Sequence, residues 1–269
     1  MHKRDCKNFY KIHITLTTYI FSQNNNFNFD LLNKIPIFPN KRQIQELVDL
    51  KELKKNKLDI SKYWIPAQQK LNLNKSLKFL KTHTACVAHE GRWFTDENNS
   101  AGYIYVVRDP RSVACSYANY ANKTLDKAVQ SLINPNSFGT TQDDIVADIW
   151  SSWKINYLSW KKEKKFKGIV VKYEDLLINP FNEFKNILIF LKKYINVEIT
   201  DDKIKSCIIS SEFKKLKKLE EENGFSESLY GNKFFRKAEK NEWEKVLPIK
   251  LKEEIELAFK DEMIELGYL

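Results

Sequence analysis

Two stretches of apolar, β-prone residues, 103–107 and 168–173, have the unbroken pattern of strands that are buried on both faces of a parallel sheet. A shorter apolar segment at residues 77–80 predicts a third strand, which runs into Lys81-Thr82-His83. The pattern therefore indicates a sheet assembled from segments that are well separated along the chain.

Helix signals follow the two longer strands. Arg108 ends the first strand and is followed by Asp109, a good N-cap, and by Pro110 at the first helical position. Some way after the second strand, Pro180 opens a helix with an apolar stripe. Two strand-to-helix units in succession predict an α/β fold, with a parallel sheet flanked by helices and ligands at the carboxyl ends of the strands.

Three further segments repeat apolar residues at helical spacing. They are residues 44–53, a long helix with the stripe Val146, Ile149, Trp150, Trp153, Tyr157 and Trp160, and a closing helix from near Pro248 with the stripe Leu251, Ile255, Phe259 and Ile264. We interpret the aromatic stripe as core rather than as a ligand site, because such stripes are usually buried. Residues 23–40 and 223–242 are polar and predict irregular loops.

Composition indicates a globular chain, with 42% hydrophobic and 13% aromatic residues in 269. No repeat and no flexible linker divides it, so one domain spanning residues 1–269 is predicted, with 1–14 as an atypical N-terminal segment. No apolar run approaches the roughly 18 residues of a membrane span. The basic start is interrupted by polar residues, which predicts that there is no signal peptide and that the protein is cytoplasmic.

The net charge of +10 favours an anionic partner such as a nucleotide, a nucleic acid or a membrane surface. Most of the charge comes from lysine, so the six arginines are more informative, and three of them, Arg108, Arg111 and Arg236, fall in two segments that resemble phosphate sites. The four cysteines show no Cys-x-x-Cys pair and no histidine at ligand spacing. We therefore expect reduced thiols, no disulfide framework and no metal site.

Arg108 stands where a strand ends and a helix begins, a position at which backbone N–H groups and the helix dipole favour an anion. Its guanidinium can bind a phosphate through two parallel hydrogen bonds. Ser116, eight residues later, shares a helix face with Ser112 and could donate to the same phosphate. The alternative is structural: Arg108 pairs with a carboxylate, and Ser116 faces the sheet.

Lys81 and His83 form a second candidate pair. Separated by one residue on an extended chain, their side chains are expected to point to the same side. A cation next to a proton acceptor is what the transfer of a charged group to a hydroxyl requires. The alternative is that His83, one of four histidines, is structural.

These segments together resemble the sulfotransferase family that uses 3'-phosphoadenosine 5'-phosphosulfate as donor. The family's 3'-phosphate segment is a strand, an arginine, a short turn and a helix with a serine eight residues after the arginine, and residues 103–117 match it with Arg108 and Ser116. Lys81-Thr82-His83 resembles the family's catalytic strand end, whose histidine is the general base. The resemblance spans about residues 15–269 and implies a P-loop-nucleotide-hydrolase-like sulfotransferase fold.

Three later segments resemble donor-binding parts of the family. Tyr173 matches the tyrosine that contacts the adenine, and Phe213 resembles the aromatic residue that stacks on the base, although an acidic residue precedes it here. Arg236-Lys237-Ala238, with Trp243 downstream, resembles the late Arg-Lys-Gly loop that closes over the 3'-phosphate. Ala238 replaces the glycine of that loop, which makes a close backbone approach more difficult.

One family segment does not occur in these 269 residues. Family members begin with a strand and a loop of the type Tyr-Pro-Lys-Ser-Gly-x-Thr-Trp, which holds the 5'-phosphosulfate. Residues 17–21 resemble the helix that follows this loop. We therefore expect a fold that is incomplete at its N-terminus, in which the ladder groups of a strand remain unpaired or pair with residues 9–14 as a substitute strand.

Three functions remain open. In the first, the chain transfers a sulfuryl group from 3'-phosphoadenosine 5'-phosphosulfate to a small-molecule or glycan acceptor, with His83 as base, Lys81 stabilising charge, and no metal. In the second, a degenerate relative binds the nucleotide without catalysis. The third, a nucleic-acid-binding protein, predicts basic residues clustered with aromatics on one element. The lysines here are scattered, so we expect no nucleic-acid partner.

Overall fold

The computed structural model describes residues 6–140, 146–225, 235 and 243–269, with the backbone alone at residues 6–10, 54 and 140. The helices are α1 (Cys6–Phe21), α2 (Lys41–Ile44), α3 (Leu50–Lys55), α4 (Trp64–Asn72), α5 (Pro110–Tyr120), α6 (Leu125–Ile133), α7 (Trp153–Lys161), α8 (Tyr173–Ile178), α9 (Pro180–Leu191), α10 (Asp201–Ser210), α11 (Phe213–Asn223), α12 (Trp243–Val246), α13 (Ile249–Ala258) and α14 (Lys260–Glu265). The strands are β1 (Ala88–His89), β2 (Arg92–Trp93), β3 (Gly102–Val107), β4 (Phe138–Thr140), β5 (Ala147–Ile149) and β6 (Lys167–Lys172). Short 3-10 helices span Phe29–Lys34 and Lys57–Tyr63.

The parallel strands β3 and β6 form the centre of the fold. They run in register from Gly102 opposite Lys167 to Val107 opposite Lys172, which confirms both of the strands that the apolar pattern predicts. They are less buried than expected, since only Val107 and Val171 are fully buried. Within the described sheet each strand has a single neighbour, so one edge of each is left without a partner strand.

The prediction of a regular strand at residues 77–80 is wrong. Residues 75–80 have no regular structure, and the segment forms one isolated parallel bridge, between Lys81 and Ile37. The N–H of Lys81 donates to the carbonyl of Pro36 at 2.9 Å, and the N–H of Phe38 donates to the carbonyl of Lys81 at 2.7 Å. This bridge is a second, minimal fragment of parallel sheet.

The prediction of a substitute strand at residues 9–14 is also wrong, because these residues lie within helix α1. Ile12, Leu16 and Tyr19 recur at helical spacing and are buried in a cluster with side chains of α9 and α10. The hydroxyls of Thr15 and Thr18 donate to backbone carbonyls four residues earlier, which accommodates these β-branched residues in the helix. The apolar stripe therefore decides the conformation of this segment.

Helices α5 and α9 begin where the sequence predicts. The Asp109 side chain accepts a hydrogen bond from the N–H of Arg111, and Pro110 is the first helical residue of α5. Pro180 likewise opens α9. The N-terminus of α5 therefore follows the carboxyl end of β3 almost directly.

The helix expected over residues 44–53 divides into α2 and α3. The reason is a cap in the middle of the apolar pattern: the Asp49 side chain accepts a hydrogen bond from the N–H of Lys51 and starts α3. The closing helix divides in the same way into α13 and α14, because Phe259 leaves the helical conformation. As a result Ile264 is 53% exposed instead of lying on a continuous buried stripe.

The long helix expected from residue 146 begins only at Trp153. Residues 147–149 form β5, which pairs antiparallel with β4, and Ser152 caps α7. The aromatic stripe is nevertheless buried, as predicted. Three of its members, Trp150, Trp153 and Trp160, also line a cavity along the edge of β3, so the stripe is not core alone.

Cys86, Cys115 and Cys207 are buried and not disulfide-bonded. Within the described ranges no group of histidine, cysteine and carboxylate side chains is arranged to hold a metal ion. None of the helices in that part of the chain combines the length and the apolar character that crossing a bilayer requires.

Candidate functional site

A cavity of about 640 Å³ lies along the edge of β3. Five consecutive strand residues, 102–106, line it, whereas the β6 residues do not. Successive residues of a strand face opposite sides of a sheet, so a cavity lined by all five lies beside the strand edge rather than over one face. Residues 75–80 line the same cavity, which therefore occupies the position of a further strand next to β3.

His83 is half-buried and lines this cavity. Its backbone carbonyl accepts a hydrogen bond from Nδ2 of Asn156 at 3.1 Å. The neighbouring residue Thr84 is buried; its carbonyl accepts a hydrogen bond from Nε1 of Trp160 at 3.1 Å, and its hydroxyl donates to Asp148 at 3.3 Å. The candidate base thus belongs to a segment that side chains of α7 and β5 hold in place.

Lys81 is buried, with 2% of its surface exposed, and it does not line the cavity. Thr82 and His83 do line it. The extended strand that would place Lys81 and His83 on one side does not form beyond the bridge to Ile37. The structure therefore does not bring the Lys81 ammonium to the cavity wall beside His83, and the catalytic role of Lys81 stays a prediction.

Arg108 follows the last residue of β3 and lines the same cavity as His83. Its guanidinium carbon lies 4.9 Å from the ring centre of Tyr173, the first residue of α8. Its backbone carbonyl accepts a hydrogen bond from Nε1 of Trp153 at 3.2 Å. An arginine, an aromatic face and the N-terminus of α5 therefore meet at the carboxyl end of the sheet, an arrangement suited to a phosphate on an aromatic nucleotide.

The ion pairs expected for a structural arginine belong to Arg111 instead. Its guanidinium pairs with Asp109 at 2.7 Å and with Glu256 at 2.5 Å, and it also donates to the carbonyl of Tyr268. Within the described ranges, by contrast, Arg108 forms no salt bridge with a carboxylate. The part of the chain that the structure describes therefore gives Arg108 an aromatic neighbour and no carboxylate partner.

The two other described donor-binding candidates lie away from this cavity. Ser116 is half-buried on α5 and does not line the cavity. Phe213 is the first residue of α11 and packs against a buried cluster that contains Ile14, Tyr120 and Leu216. The structure does not join either residue to Arg108 by a contact, so their roles stay predictions.

Arg236, Lys237 and Ala238 lie outside the described residues. The downstream Trp243 is described, and its ring centre lies 3.9 Å from the guanidinium carbon of Arg111. This contact places the start of α12 at the N-terminal turn of α5, close in sequence to Arg108.

Sequence reasoning missed the polar face of α7. Asn156 lies between Trp153 and Trp160 at helical spacing, in a segment whose aromatic stripe indicates only core. A single amide among buried aromatic residues is the signal that could have identified it, because an amide in such surroundings must find hydrogen-bond partners.

Tyr103 also lines the cavity. Burial raises the pKa of its phenol above the ordinary value, which is already well above neutral pH.

A comparison with protein families shows which family this chain belongs to. The model of the sulfotransferase domain matches residues 15–267, nearly the whole chain. The chain belongs to the sulfotransferase family. The match confirms the resemblance that the Arg108 and His83 segments suggested.

Solved structures of two other proteins share the fold. Retinol dehydratase with androsterone and the inactive cofactor PAP has a TM-score of 0.61 at 14% identity, over 97% of this chain and 78% of that one. Its complex with retinol and PAP gives 0.61 at 15% identity, over 97% and 79%. Mouse sulfotransferase SULT7A1 with PAP gives 0.52 at 19% identity, over 85% and 82%. The expected α/β class, a P-loop-like sulfotransferase fold with a parallel sheet and flanking helices, is confirmed.

Proposed function

We propose that this sulfotransferase-family chain transfers a sulfuryl group from 3'-phosphoadenosine 5'-phosphosulfate to an acceptor hydroxyl or amine. The observation that carries the proposal is that Arg108 and His83 line one cavity at the carboxyl end of β3. The neighbouring structures of retinol dehydratase and SULT7A1 contain PAP. PAP is 3',5'-adenosine bisphosphate, the nucleotide that remains when the donor loses its sulfuryl group.

In this proposal the 3'-phosphate binds to Arg108 and to the N-terminus of α5. The guanidinium can offer two parallel donors to one phosphate, and the helix end adds backbone N–H groups. Tyr173, below the guanidinium, contacts the adenine, and Ser116 adds a hydroxyl donor. These roles follow the family resemblance of the segments, and the contact between Arg108 and Tyr173 supports them.

The remaining donor contacts come from later segments. Phe213 stacks on the adenine, and Arg236, Lys237 and Ala238 close over the 3'-phosphate. The contact of Trp243 with Arg111 supports this arrangement, because it fixes the end of the late segment next to α5.

The transfer step moves one group and one proton. The acceptor oxygen or nitrogen attacks sulfur, and the bond between sulfur and the bridging oxygen breaks, with its electron pair staying on the 5'-phosphate. His83 accepts the acceptor's proton, and Lys81 offsets the charge that develops on the bridging oxygen. The products are the sulfated acceptor and 3',5'-adenosine bisphosphate, and His83 then releases its proton to water. No metal is needed, because positioning and electrostatics carry such transfers.

The cavity beside β3 is where we place the strand and loop that hold the 5'-phosphosulfate in the family. Two observations support this: the cavity follows the edge of β3, and that strand pairs with β6 alone among the described strands. A strand added there would end near both Arg108 and His83. Without such a loop, the transferring group loses a set of donors that typically lowers the barrier by roughly 3 kcal/mol or more.

The acceptor is a small molecule or a glycan. The presence of androsterone and retinol in complexes of retinol dehydratase supports the first class. Cys86, Cys115 and Cys207 are buried and not disulfide-bonded, which supports action in the cytoplasm, where cysteines stay reduced.

A second candidate function is nucleotide binding without catalysis. The sequence feature that favours it is the absence of a Tyr-Pro-Lys-Ser-Gly-type loop from the 269 residues. Such a protein would retain the Arg108 site while lacking the group that binds the 5'-phosphosulfate.

The test compares the 269-residue chain with a form that carries the family's strand and loop ahead of residues 17–21, here called the loop-carrying form. Each is incubated with a donor radiolabelled at sulfur and a panel of phenols, alcohols and amines, and labelled product and released PAP are measured together. We expect the 269-residue chain to transfer at least about a hundredfold more slowly than the loop-carrying form.

Two other outcomes have defined meanings. PAP binding by both forms without transfer by either would favour the non-catalytic function. Rapid transfer by the 269-residue chain would overturn the assignment of the cavity, and would mean that another part of this chain supplies the contacts to the 5'-phosphosulfate.

A further inference from the structure

Asn156 makes three hydrogen bonds through its side-chain amide. Nδ2 donates to the carbonyl of His83 at 3.1 Å and to the carbonyl of Trp150 at 2.9 Å, and Oδ1 accepts from the hydroxyl of Tyr105 at 3.0 Å. Both amide hydrogens are used, and the opposite orientation would set Oδ1 against two carbonyl oxygens. The network therefore admits one orientation of the amide.

The same helix face binds the rest of the site. Trp153 donates to the carbonyl of Arg108 at 3.2 Å, Ser159 accepts from the N–H of Cys86 at 2.9 Å, and Trp160 donates to the carbonyl of Thr84 at 3.1 Å. Residues 153, 156 and 160 are spaced by three and four, so they lie on one face of α7. Helix α7 therefore links the end of β3 with the segment that contains His83.

Of these four α7 side chains, Asn156 is the one whose hydrogen bonds join His83 to β3. Tyr105 belongs to β3, three residues before Arg108. Its hydroxyl donates to Oδ1 of Asn156, whose Nδ2 donates to the carbonyl of His83. These two hydrogen bonds connect His83 to the strand that ends at Arg108. A displacement of about 1 Å at a reacting group can lower the rate around a hundredfold, so loss of this connection is expected to slow the transfer.

We infer that Asn156 is the positioning residue for His83, with Tyr105 as its support. The inference rests on the proposed role of His83 as the base. Asn156→Leu is the informative substitution, because leucine has a similar shape and no charge and removes all three hydrogen bonds. Ser159→Ala is the matched control: it removes the hydrogen bond from the N–H of Cys86 and the one that the Ser159 hydroxyl donates to the backbone carbonyl of Asn156, and it leaves all three side-chain hydrogen bonds of Asn156 in place.

The first measurement does not depend on activity. The 269-residue chain is labelled with ¹⁵N in its four histidines, and His83→Ala assigns the His83 imidazole signals. We expect Asn156→Leu to shift and broaden the His83 signals and Ser159→Ala to leave them in place. Tyr105→Phe is the second variant, which keeps the donors of Asn156 and should shift the same signals by less.

The second measurement uses the loop-carrying form. Asn156→Leu is expected to lower kcat by about ten- to a hundredfold while the affinity for PAP changes less than threefold, because Trp153 still holds Arg108. Unchanged His83 signals in both Asn156→Leu and Tyr105→Phe would overturn the inference, as would an equal shift in Ser159→Ala. If the parent form binds no PAP, the proposed function fails, and the imidazole signals still decide whether Asn156 positions His83.

Discussion

The guanidinium carbon of Arg108 lies 4.9 Å from the ring centre of Tyr173. The two side chains meet because β3 and β6 are parallel and in register. The last residues of the two strands, Val107 and Lys172, lie opposite each other, and Arg108 and Tyr173 directly follow them. The electron-rich ring face attracts the cation without neutralising it. Arg108 is thereby held in place and keeps its charge, as the proposed binding of the 3'-phosphate requires.

His83→Ala is expected to lower the turnover of the loop-carrying form by about two to four orders of magnitude, because a positioned base acts mainly in the transition state. Folding and PAP affinity should stay nearly unchanged, since the backbone carbonyl that Asn156 binds is retained. Steady-state kinetics gives kcat, and calorimetry gives the affinity for PAP.

The control for this variant is His89→Ala. His89 belongs to the β1–β2 hairpin and does not line the cavity. The kcat of the His89→Ala variant should therefore equal that of the unsubstituted loop-carrying form. A His83→Ala form as fast as the parent would make His83 a structural residue.

Arg111→Ala is expected to lower the free energy of unfolding by about 3–5 kcal/mol, because it leaves the buried Asp109 carboxylate without the cation that pairs with it. Glu256 is half-buried and keeps an ion pair with Lys252 at 3.2 Å. Asp109 and Arg111 each have 7% of the side chain exposed, and the same guanidinium also pairs with Glu256. The variant further loses the cation–π contact with Trp243. Urea unfolding followed by tryptophan fluorescence measures the change.

Arg92→Ala provides the comparison for an exposed ion pair. Arg92 pairs with Glu90, and their side chains are 33% and 55% exposed. Arg92 also donates from Nε to the hydroxyl of Ser61 at 3.0 Å, so the loss should be at most about 2 kcal/mol. Equal losses in the two arginine variants would show that the Asp109–Arg111–Glu256 cluster does not stabilise the fold.

Cys86 is expected to resist alkylation in the native protein. Burial, and then the nearby Glu163 carboxylate, raise the pKa of its thiol from 9.0 to about 12. At pH 8 the thiolate fraction, and with it the rate of reaction with iodoacetamide, should be roughly a thousandfold lower than in the unfolded chain. Because the unfolded thiol loses its proton first, ionisation of Cys86 should also reduce stability as the pH rises above about 9.

Mass spectrometry of the alkylated peptides gives the rate at Cys86 in buffer and in denaturing urea. Native and unfolded rates that agree within tenfold would contradict the burial of this thiol.

Residues 103–110 show how much of this fold the sequence can predict. An apolar run, a helix cap and a proline lie next to one another in sequence, so local preferences alone define the end of β3 and the start of α5. The same locality explains why the residue pattern by itself places Arg108 at a strand end. For His83 the residue pattern left a structural role open, and the family resemblance of its segment favoured the role of the base.

The failures lie where distant parts of the chain decide the outcome. Residues 77–80 have the composition of a strand, but no described strand lies beside them, and a single bridge at Lys81 remains. Residues 9–14 become helical because α9 and α10 cover their apolar stripe. The role of Asn156 depends on partners at Tyr105 and His83, which no local pattern in the sequence connects.

Arg108 has the decisive role in the proposed donor site, since it is expected to bind the 3'-phosphate of the nucleotide. Removing its charge-assisted pair of hydrogen bonds should cost on the order of 2–4 kcal/mol of affinity for 3',5'-adenosine bisphosphate. 5'-AMP has no 3'-phosphate, so its affinity should change little. Arg42→Ala, an exposed arginine on α2, controls for the loss of one positive charge.

The most direct measurement is therefore calorimetric titration of the parent chain, Arg108→Ala and Arg42→Ala with 3',5'-adenosine bisphosphate and with 5'-AMP. The predicted result is a selective loss of affinity for the bisphosphate in Arg108→Ala and no change in Arg42→Ala. Equal losses for the two nucleotides, or no loss for either, would contradict the account and would place the 3'-phosphate elsewhere.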